Sequence, residues 1–164
     1  MTTTIRPMKS SDRASLMRIV NQIDVFNEQD RKTAEEVIDT YLIDGKLSEY
    51  YVLVALNDSS LAGFVCYGPA PLTKGTWDIY WLAVDPKVIR HGIGRQLTAA
   101  AENEMINAGG RIVLVETSSR PGYDRSRSFY AASGYDVAAQ ITDFYAPGDD
   151  KLIYIKRLDE KPCT

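Results

Sequence analysis

A strand that leads directly into a glycine-punctuated helix start is the feature that most constrains how this chain can fold. Residues 82–97 read LAVDPKVIRHGIGRQL, with an Asp-Pro pair after the strand and with Gly92 and Gly94 where a helix begins. The first turn of a helix exposes unpaired backbone N–H groups at its positive dipole end, which suits an anion. Glycines let a diphosphate approach the backbone because they carry no Cβ. The segment therefore predicts an anion site, with Arg90 and Arg95 adding charge at its rim.

Two better-known phosphate loops do not fit these glycines. The dinucleotide-binding fingerprint needs a third glycine at a fixed spacing and a βαβ unit with a ribose-binding acid, and neither follows Gly94. A Walker A loop needs the sequence GK[ST], which is absent from the chain. Taken alone, the two glycines fit a plain strand-to-helix turn better than they fit a phosphate site.

The spacing of apolar residues along the chain predicts strands and helices in partly separate runs. Helical spacing follows Ser10, Thr33 and Gly94 and returns at residues 126–132. Thr33 and a Glu three residues later form a capping box, which predicts a helix start at that point. The predicted strands are 2–7, 50–56, 61–67, 76–84, 111–115, 135–141 and 152–158. This order predicts an α+β fold with a mixed sheet, and with no repeat or linker residues 1–164 are expected to form a single domain.

Composition argues against nucleic acid, metal ions and membranes as partners. The net charge is −3 and no block of Lys or Arg stands out, so nucleic acid is not expected as the partner. The two cysteines lie far apart and no His/Cys cluster exists, so no metal site is expected. The N-terminal residues lack the apolar core of a signal peptide, and no apolar stretch approaches membrane-spanning length. A cytoplasmic protein without membrane contact is therefore expected.

A second motif follows the first at a distance of about 35 residues, where residues 128–135 read SFYAASGY. The segment LAVDPKVIRHGIGRQL resembles motif A of the GNAT acetyltransferases, [Q/R]-x-x-G-x-[G/A] after a strand written like LAV-x-P. SFYAASGY resembles the end of their motif B, F-Y-x-x-x-G-[F/Y]. Two motifs in the expected order are far more specific than either alone. The chain is therefore identified as a member of the GNAT superfamily over roughly residues 5–158.

This resemblance implies both the architecture and the reaction. The GNAT fold has a mixed, mostly antiparallel central sheet of about seven strands flanked by about four helices. The implied activity is that of an acetyl-CoA-dependent N-acetyltransferase. It would move the acetyl group to a primary amine, either a small-molecule amine or the N-terminus of a peptide or protein, by direct attack in a ternary complex.

The resemblance also implies a set of residues that bind acetyl-CoA. Two positions depart from the family pattern. The Gln or Arg before the glycines falls on Ile89, with Arg90 one residue later, and an Asn that precedes motif B falls on Tyr123. The backbone N–H groups are expected to bind most of the diphosphate, so the implied cofactor remains the same. The implied cofactor-binding residues are Leu82, Ala83, Val84, Arg90, His91, Gly92, Ile93, Gly94, Arg95 and Tyr123.

Tyr130 is the implied general acid. When an amine attacks the acetyl carbonyl, the sulfur of CoA leaves as a thiolate, and a phenol within hydrogen-bond reach can protonate it. The tyrosine of motif B often has this role in the family. The alternative is that Tyr130 is only a core aromatic residue on an amphipathic helix.

Two carboxylates are candidates for the base that accepts the proton of the amine. Glu116 ends a buried strand and matches the general base of the ribosomal-protein N-terminal acetyltransferases. Asp78 lies fourteen residues before Gly92 and matches the base of the histone-acetyltransferase branch, with a shorter side chain. A base-free mechanism with a water relay is the third alternative.

The acceptor groove of this fold lies between the first two helices, the loop that joins them and the last hairpin. Phe26 and Glu28 in the first of these loops and Tyr145 in the last hairpin are the implied substrate-binding residues. Acidic and aromatic side chains suit a cationic amine. The hairpin is similar to that of the N-terminal-acetylating branch, where a tyrosine gates the peptide. A small polyamine-like or amino-acid-like acceptor is equally compatible with these residues.

A different class of function has to be weighed beside the enzyme. A non-catalytic acyl-CoA-binding or sensing module on the same fold would keep Gly92 and Gly94 and lose the catalytic tyrosine, whereas this chain retains Tyr130. A homodimer is compatible with the resemblance, because edge strands in this fold commonly pair.

Overall fold

The computed structural model describes residues 2–158 and contains one mixed sheet with helices on both faces. The strands are β1 (Thr3–Pro7), β2 (Tyr51–Asn57), β3 (Ser60–Pro69), β4 (Thr76–Val84), β5 (Ile112–Ser118), β6 (Asp136–Ala146) and β7 (Asp149–Arg157). The helices are α1 (Arg13–Asn21), α2 (Glu28–Asp44), α3 (Ile93–Asn107) and α4 (Asp124–Ala132). The strand order is β1-β2-β3-β4-β5-β7-β6, and only β4 and β5 pair in parallel. The predicted α+β fold, with a mostly antiparallel sheet of seven strands and four helices, is confirmed.

Two apolar layers, one on each face of the sheet, hold the helices in place. On one face α3 presents buried apolar residues four positions apart, and α4 adds an aromatic side chain. These residues are Ile93, Leu97, Ala101, Met105 and Tyr130. On the other face α1 and α2 pack against β2 and β3. Their buried residues are Leu16, Ile19, Val20, Ala34 and Ile38.

The prediction that the second helix begins at Thr33 is wrong, because the capping box lies earlier in the chain. The side chain of Asn27 accepts the backbone N–H of Asp30 at 2.8 Å, and the Asp30 carboxylate accepts the N–H of Asn27 at 2.9 Å. These two bonds satisfy the first orphan donors of the helix, which begins at Glu28. The hydroxyl of Thr33 instead donates to the carbonyl of Gln29 within the helix, at 2.9 Å. The loop between α1 and α2 is therefore shorter than the sequence predicts.

The last hairpin is longer than predicted. Strands β6 and β7 run to Ala146 and from Asp149, where the sequence suggested a polar loop. The carboxylate of Asp150 accepts hydrogen bonds from the backbone N–H of Asp143 at 2.9 Å and from the side-chain amide of Gln140 at 2.7 Å. These bonds tie the two strands together across the polar segment, so it continues the sheet.

The parallel pair β4–β5 is short, and the two strands separate beyond it. Only residues 76–79 of β4 pair with residues 112–115 of β5, although both strands continue. On its other side β4 pairs with β3 through a bulge, since Cys66 lies opposite Trp81 and Tyr67 lies opposite Ile79. Tyr80 is the extra residue, and a bulge increases the local twist of a strand. A cleft therefore opens between β4 and β5.

We predict that Gly63→Ala destabilises the sheet beside this cleft. A Cβ at Gly63 would lie 2.8 Å from the carbonyl oxygen of Ala83 in β4 and 3.2 Å from Leu97 of α3. Overpacking of this kind costs about 1–3 kcal/mol of unfolding free energy, which urea denaturation would measure. Ser60→Ala, at the exposed start of the same strand, is the control and is expected to change stability by less than about 0.5 kcal/mol. Equal stability of the two variants would contradict the prediction.

Candidate active site

The first of two cavities in the cleft lies at the N-terminus of α3, and we call it the glycine-loop cavity. Its volume is about 850 Å³. Gly92, Ile93 and Gly94 form one wall, and residues 121–126 before and within α4 form the wall opposite. The α1–α2 loop closes one end, where a Cβ at Gly122 would lie 2.8 Å from Cγ1 of Val25.

The start of α3 has the features that an anion needs. Gly92 precedes the helix with φ +75°, and no side chain within residues 2–158 caps α3. The first N–H groups of the helix therefore lack a side-chain partner in this wall of the cavity. A Cβ at Gly92 would meet only the side-chain nitrogen of Gln96, at 3.9 Å, so the space in front of these groups is open. A diphosphate fits this wall, because backbone donors and the helix dipole act on it together.

Three arginines line the glycine-loop cavity. Arg90 and Arg95 stand beside the glycines as predicted, and Arg125 faces them from the first turn of α4. Arg125 is not among the residues predicted from the sequence, where its only signal is its position just before motif B. Ile89 also lies in the wall, at the family's Gln or Arg position.

Nine of the ten predicted cofactor-binding residues line this cavity, and one does not. The nine are Leu82, Ala83, Val84, Arg90, Gly92, Ile93, Gly94, Arg95 and Tyr123. His91 is exposed and lies outside the cavity lining.

The second cavity, which we call the carboxylate cavity, lies on the other side of the cleft and has a volume of about 600 Å³. The diverging ends of β4 and β5 form its base, and the start of α2 and the β6–β7 hairpin form its rim. Four carboxylates line it, namely Asp30, Asp78, Glu116 and Asp149. Five residues line both cavities, so the two meet in the cleft. These shared residues are Phe26, Leu82, Tyr123, Ser126 and Tyr130.

Tyr130 lies where the cavities meet and is 6% exposed. Its ring packs against Phe129, Tyr135 and Tyr154, with ring centroids 5.2 to 6.1 Å apart. Burial raises the pKa of the Tyr130 hydroxyl above its ordinary value, so the hydroxyl keeps its proton at neutral pH. Tyr130 is thus both a core residue and part of the cavity wall, and the two sequence interpretations are not exclusive.

The two candidate bases both line the carboxylate cavity but have different surroundings. Burial, and then the charge of Glu116, raise the pKa of the partly buried Asp78, while Lys151 opposes this shift. Glu116 is half-exposed and forms an ion pair with Lys151 at 2.8 Å. The structure therefore brings Asp78, Glu116 and Tyr130 into one cleft.

Aromatic side chains complete the carboxylate cavity. The Phe26 ring packs edge-on against Trp81 at 5.3 Å, and Tyr145 lies on the opposite rim. Burial, and then the charge of Glu116, raise the pKa of Tyr145 to about 12. Glu28 is exposed in the first turn of α2 and lies outside the lining, which instead contains Asn27 and Asp30.

Trp81 and Ser126 also line the carboxylate cavity and are not among the residues predicted from the sequence. Strict alternation along β4 would put Trp81 on the same face as Ile79, but the bulge at Tyr80 moves it to the face covered by α1 and α2. Ser126 lies one turn before Tyr130 on α4, and this spacing is the signal that could have identified it.

Within residues 2–158 no group of three or more His, Cys, Asp or Glu side chains could hold a metal ion. No helix in the same range is long and apolar enough to span a bilayer.

Comparisons with known proteins identify the class and then the family. A protein from Desulfovibrio desulfuricans assigned to the GNAT acetyltransferases superposes with a TM-score of 0.92 at 34% identity, covering 96% of this chain and 99% of that one. The acetyltransferase family model, described as Acetyltransferase (GNAT) family, matches residues 15–135. The chain belongs to the GNAT family and is an acetyltransferase. A search of curated proteins finds no match.

More distant structures share the fold. The ribosomal-protein-S18-alanine N-acetyltransferase from Escherichia coli has a TM-score of 0.77 at 18% identity, covering 98% of this chain and 96% of that one. A Salmonella typhimurium protein assigned as an acetyltransferase, solved with its cofactor acetyl-CoA, has a TM-score of 0.75 at 19% identity, covering 99% and 98%. At these identities the likeness shows the fold.

We predict that Tyr130→Phe lowers kcat by about 10²–10⁴-fold, because a leaving sulfur loses its proton donor while the ring keeps its packing. Release of CoA, followed with a thiol reagent, measures this change. Tyr135→Phe is the matched control. The Tyr135 hydroxyl donates to Glu102 at 2.7 Å and lies outside both cavities, so its loss should reduce stability and leave kcat within a few-fold. A Tyr130→Phe variant with wild-type kcat would exclude the acid role.

Proposed function

We propose that this protein is an acetyl-CoA-dependent N-acetyltransferase that transfers the acetyl group directly to a primary amine in a ternary complex. The observation that carries the proposal is that two cavities enter one cleft and meet at Leu82 and Tyr130. A donor in the glycine-loop cavity and an acceptor in the carboxylate cavity would thus contact each other without a covalent enzyme intermediate.

Acetyl-CoA fits the glycine-loop cavity by charge and by backbone geometry. Its diphosphate would bind the first N–H groups of α3 between Arg90 and Arg95. Beyond Ile79 the edge of β4 that faces the cleft has no strand partner, because β5 has separated from it. The backbone N–H groups within residues 82–84 that point to this edge are therefore available to bind the cofactor and to polarise a thioester carbonyl.

Acetyl-CoA supplies an activated acetyl thioester. The residues of the cleft accept the proton that the amine loses and donate a proton to the leaving sulfur. Nitrogen forms a bond to the carbonyl carbon as the carbon–sulfur bond breaks. A carboxylate, Asp78 or Glu116, accepts the proton that the amine loses, directly or through a water molecule. The Tyr130 hydroxyl, which burial keeps protonated, donates to the leaving sulfur. Tyr130 lines both the glycine-loop cavity and the carboxylate cavity, which argues against a module that only binds acyl-CoA.

The lining of the carboxylate cavity favours a cationic acceptor. It contains four carboxylates, of which Asp149 is paired with Arg120 at 3.1 Å and Glu116 with Lys151 at 2.8 Å, so a net negative charge remains. Aromatic rings such as Phe26 and Tyr145 can contact the hydrocarbon part of the acceptor or its ammonium group. Both a small basic amine and a peptide N-terminus have these features, and the structurally similar Escherichia coli protein is a ribosomal-protein-S18-alanine N-acetyltransferase.

We predict that acetyl-CoA raises the unfolding temperature and that NADPH does not. At a concentration of about 100 times its dissociation constant, a ligand adds roughly 2.7 kcal/mol, or about 5–10 °C for a chain of this size. Gly94→Asp should abolish the shift by placing a carboxylate at the diphosphate site. Gly94→Ala is the steric control, since its Cβ would lie at 3.4 Å from the Phe129 ring. No shift of the wild type at saturating acetyl-CoA would overturn the cofactor assignment.

A panel of acceptors tests the second cavity. We expect acetyl-CoA-dependent CoA release with cationic amines, namely spermidine, 1,5-diaminopentane, tyramine and a peptide with N-terminal alanine, and none with a neutral hydroxylated analogue. Mass spectrometry would identify the N-acetyl product. The kcat/KM for the fastest amine should fall with ionic strength, because salt screens the attraction to the carboxylates. Transfer to none of these amines by a protein that binds acetyl-CoA would favour the non-catalytic alternative.

A further inference from the structure

The parallel register of β4 and β5 places the two candidate bases on one face of the sheet. Asp78 lies opposite Leu114, and Glu116 follows two residues later on β5. Because side chains alternate along a strand, both carboxylates point to the face opposite α3, away from Val113 and Val115 of the core. Both line the carboxylate cavity, so geometry alone would allow either to accept a proton.

Lys151 on β7 distinguishes the two carboxylates. Its ammonium nitrogen lies 2.8 Å from Oε1 of Glu116 and 4.2 Å from the centre of the Phe144 ring. The side chain of Lys151 is 12% exposed, whereas that of Glu116 is 51% exposed. The cation is thus the more enclosed member of the pair, held by a carboxylate and by an aromatic face. Separating this pair would leave an enclosed cation without its carboxylate, which costs free energy and favours a paired Glu116.

Asp78 has no comparable partner. No hydrogen bond or ion pair in the described part of the chain, residues 2–158, involves its carboxylate. Burial and the charge of Glu116 raise its pKa, and the charge of Lys151 lowers it. A base with a free carboxylate and a pKa moved toward the working pH suits proton transfer from an amine.

The other charged groups of this cavity are paired or cap a helix, and its tyrosines keep their protons because burial raises the pKa of each, Tyr123 and Tyr130 included. Tyr80, on the same strand as Asp78, has its pKa raised to about 12 by burial and then by Asp78, so it is neutral. Tyr145 of β6 is likewise neutral. Asp149 and Arg120 pair with each other, and Asp30 caps α2. The groups that act on Asp78 are therefore Glu116 from β5 and Lys151 from β7.

We propose that Lys151 is a positioning residue: its ion pair with Glu116 keeps that carboxylate occupied, and Asp78 is the group that accepts the proton of the amine. This inference rests on the proposed acetyl transfer and assigns the proton acceptor within it. The nitrogen lone pair forms the bond to the carbonyl carbon, the departing proton moves to a carboxylate oxygen of Asp78, and the sulfur leaves with the proton of Tyr130. Glu116 acts on Asp78 only through its charge.

The dependence of kcat/KM on pH, measured with the fastest amine of the panel, tests this division of roles. Activity requires ionised Asp78, so kcat/KM falls on the acidic side of the profile. This acidic limb moves to higher pH when the pKa of Asp78 rises. Lys151→Met removes the charge that lowers this pKa and should move the limb to higher pH. Glu116→Gln removes the charge that raises it and should move the limb down. Asp78→Asn should lose about 10²–10⁴-fold in kcat and lose the limb.

Two variants control for charge and for fold. Lys151→Arg keeps the cation beside Glu116 and should leave the limb in place. Lys74→Met makes the same change of charge as Lys151→Met at an exposed loop position and should also leave it in place. The acetyl-CoA thermal shift verifies that each variant folds.

Carbon-13 NMR of the aspartate carboxyl groups supplies a readout that needs no turnover. The Asp78 resonance, assigned by its loss in Asp78→Asn, should titrate at higher pH in Lys151→Met and at lower pH in Glu116→Gln. If Lys151→Met changes neither the pH at which the Asp78 resonance titrates nor the position of the acidic limb, the proposed role of Lys151 is overturned. Loss of the limb in Glu116→Gln, with activity kept in Asp78→Asn, would make Glu116 the base. Wild-type protein that transfers acetyl to no amine would overturn the proposed function itself.

Discussion

The hydrogen bonds between β4 and β5 end at Ile79 and Val115, and both strands continue without each other. The bulge at Tyr80 adds twist at the same point, where β4 is still held by β3 on its other side. From there the cleft widens, and the edge of β4 that faces it is free to bind a ligand. The glycine-loop cavity and the carboxylate cavity both open into this cleft. The start of α3 lies at the end of β4, so the glycines stand at one mouth of the cleft. The carboxylates of β4 and β5 stand at the other.

Charge is sorted along this cleft. The glycine-loop cavity contains Arg90, Arg95 and Arg125 together with the positive end of α3, whereas the carboxylate cavity contains four acids. An anionic and a cationic ligand would therefore enter from different sides. Tyr130 lies between the positive glycine-loop cavity and the negative carboxylate cavity, surrounded by aromatic rings and kept protonated by burial. The residue at the meeting point is thus neutral, and it can serve as a proton donor without attracting either ligand to the wrong side.

Much of the fold could be read from local signals. The strand Thr76–Val84 and the glycines after it have strong periodicity and turn chemistry, and motif B fixed the position of Tyr130. The start of α2 was misplaced because Thr33 and Asn27 both begin sequences that can cap a helix, and only packing selects between them. The pair of Lys151 and Glu116 joins residues 35 positions apart through the β5–β7 register, which no periodicity records. The bulge that moves Trp81 to the other face of the sheet also has no signal in the sequence, since no glycine or proline marks it.

The shortness of the β4–β5 pairing has a further consequence for the cooperativity of folding. Strands β1–β4 form one continuous antiparallel unit and β5–β7 form another. Within the described residues, backbone pairing between the two units is confined to residues 75–79 and 111–115. A ligand that lies along the free edge of β4 and also contacts α4 would bridge both units. Acetyl-CoA would then strengthen the junction that the backbone leaves short, and part of its binding free energy would serve to hold the two halves of the sheet together.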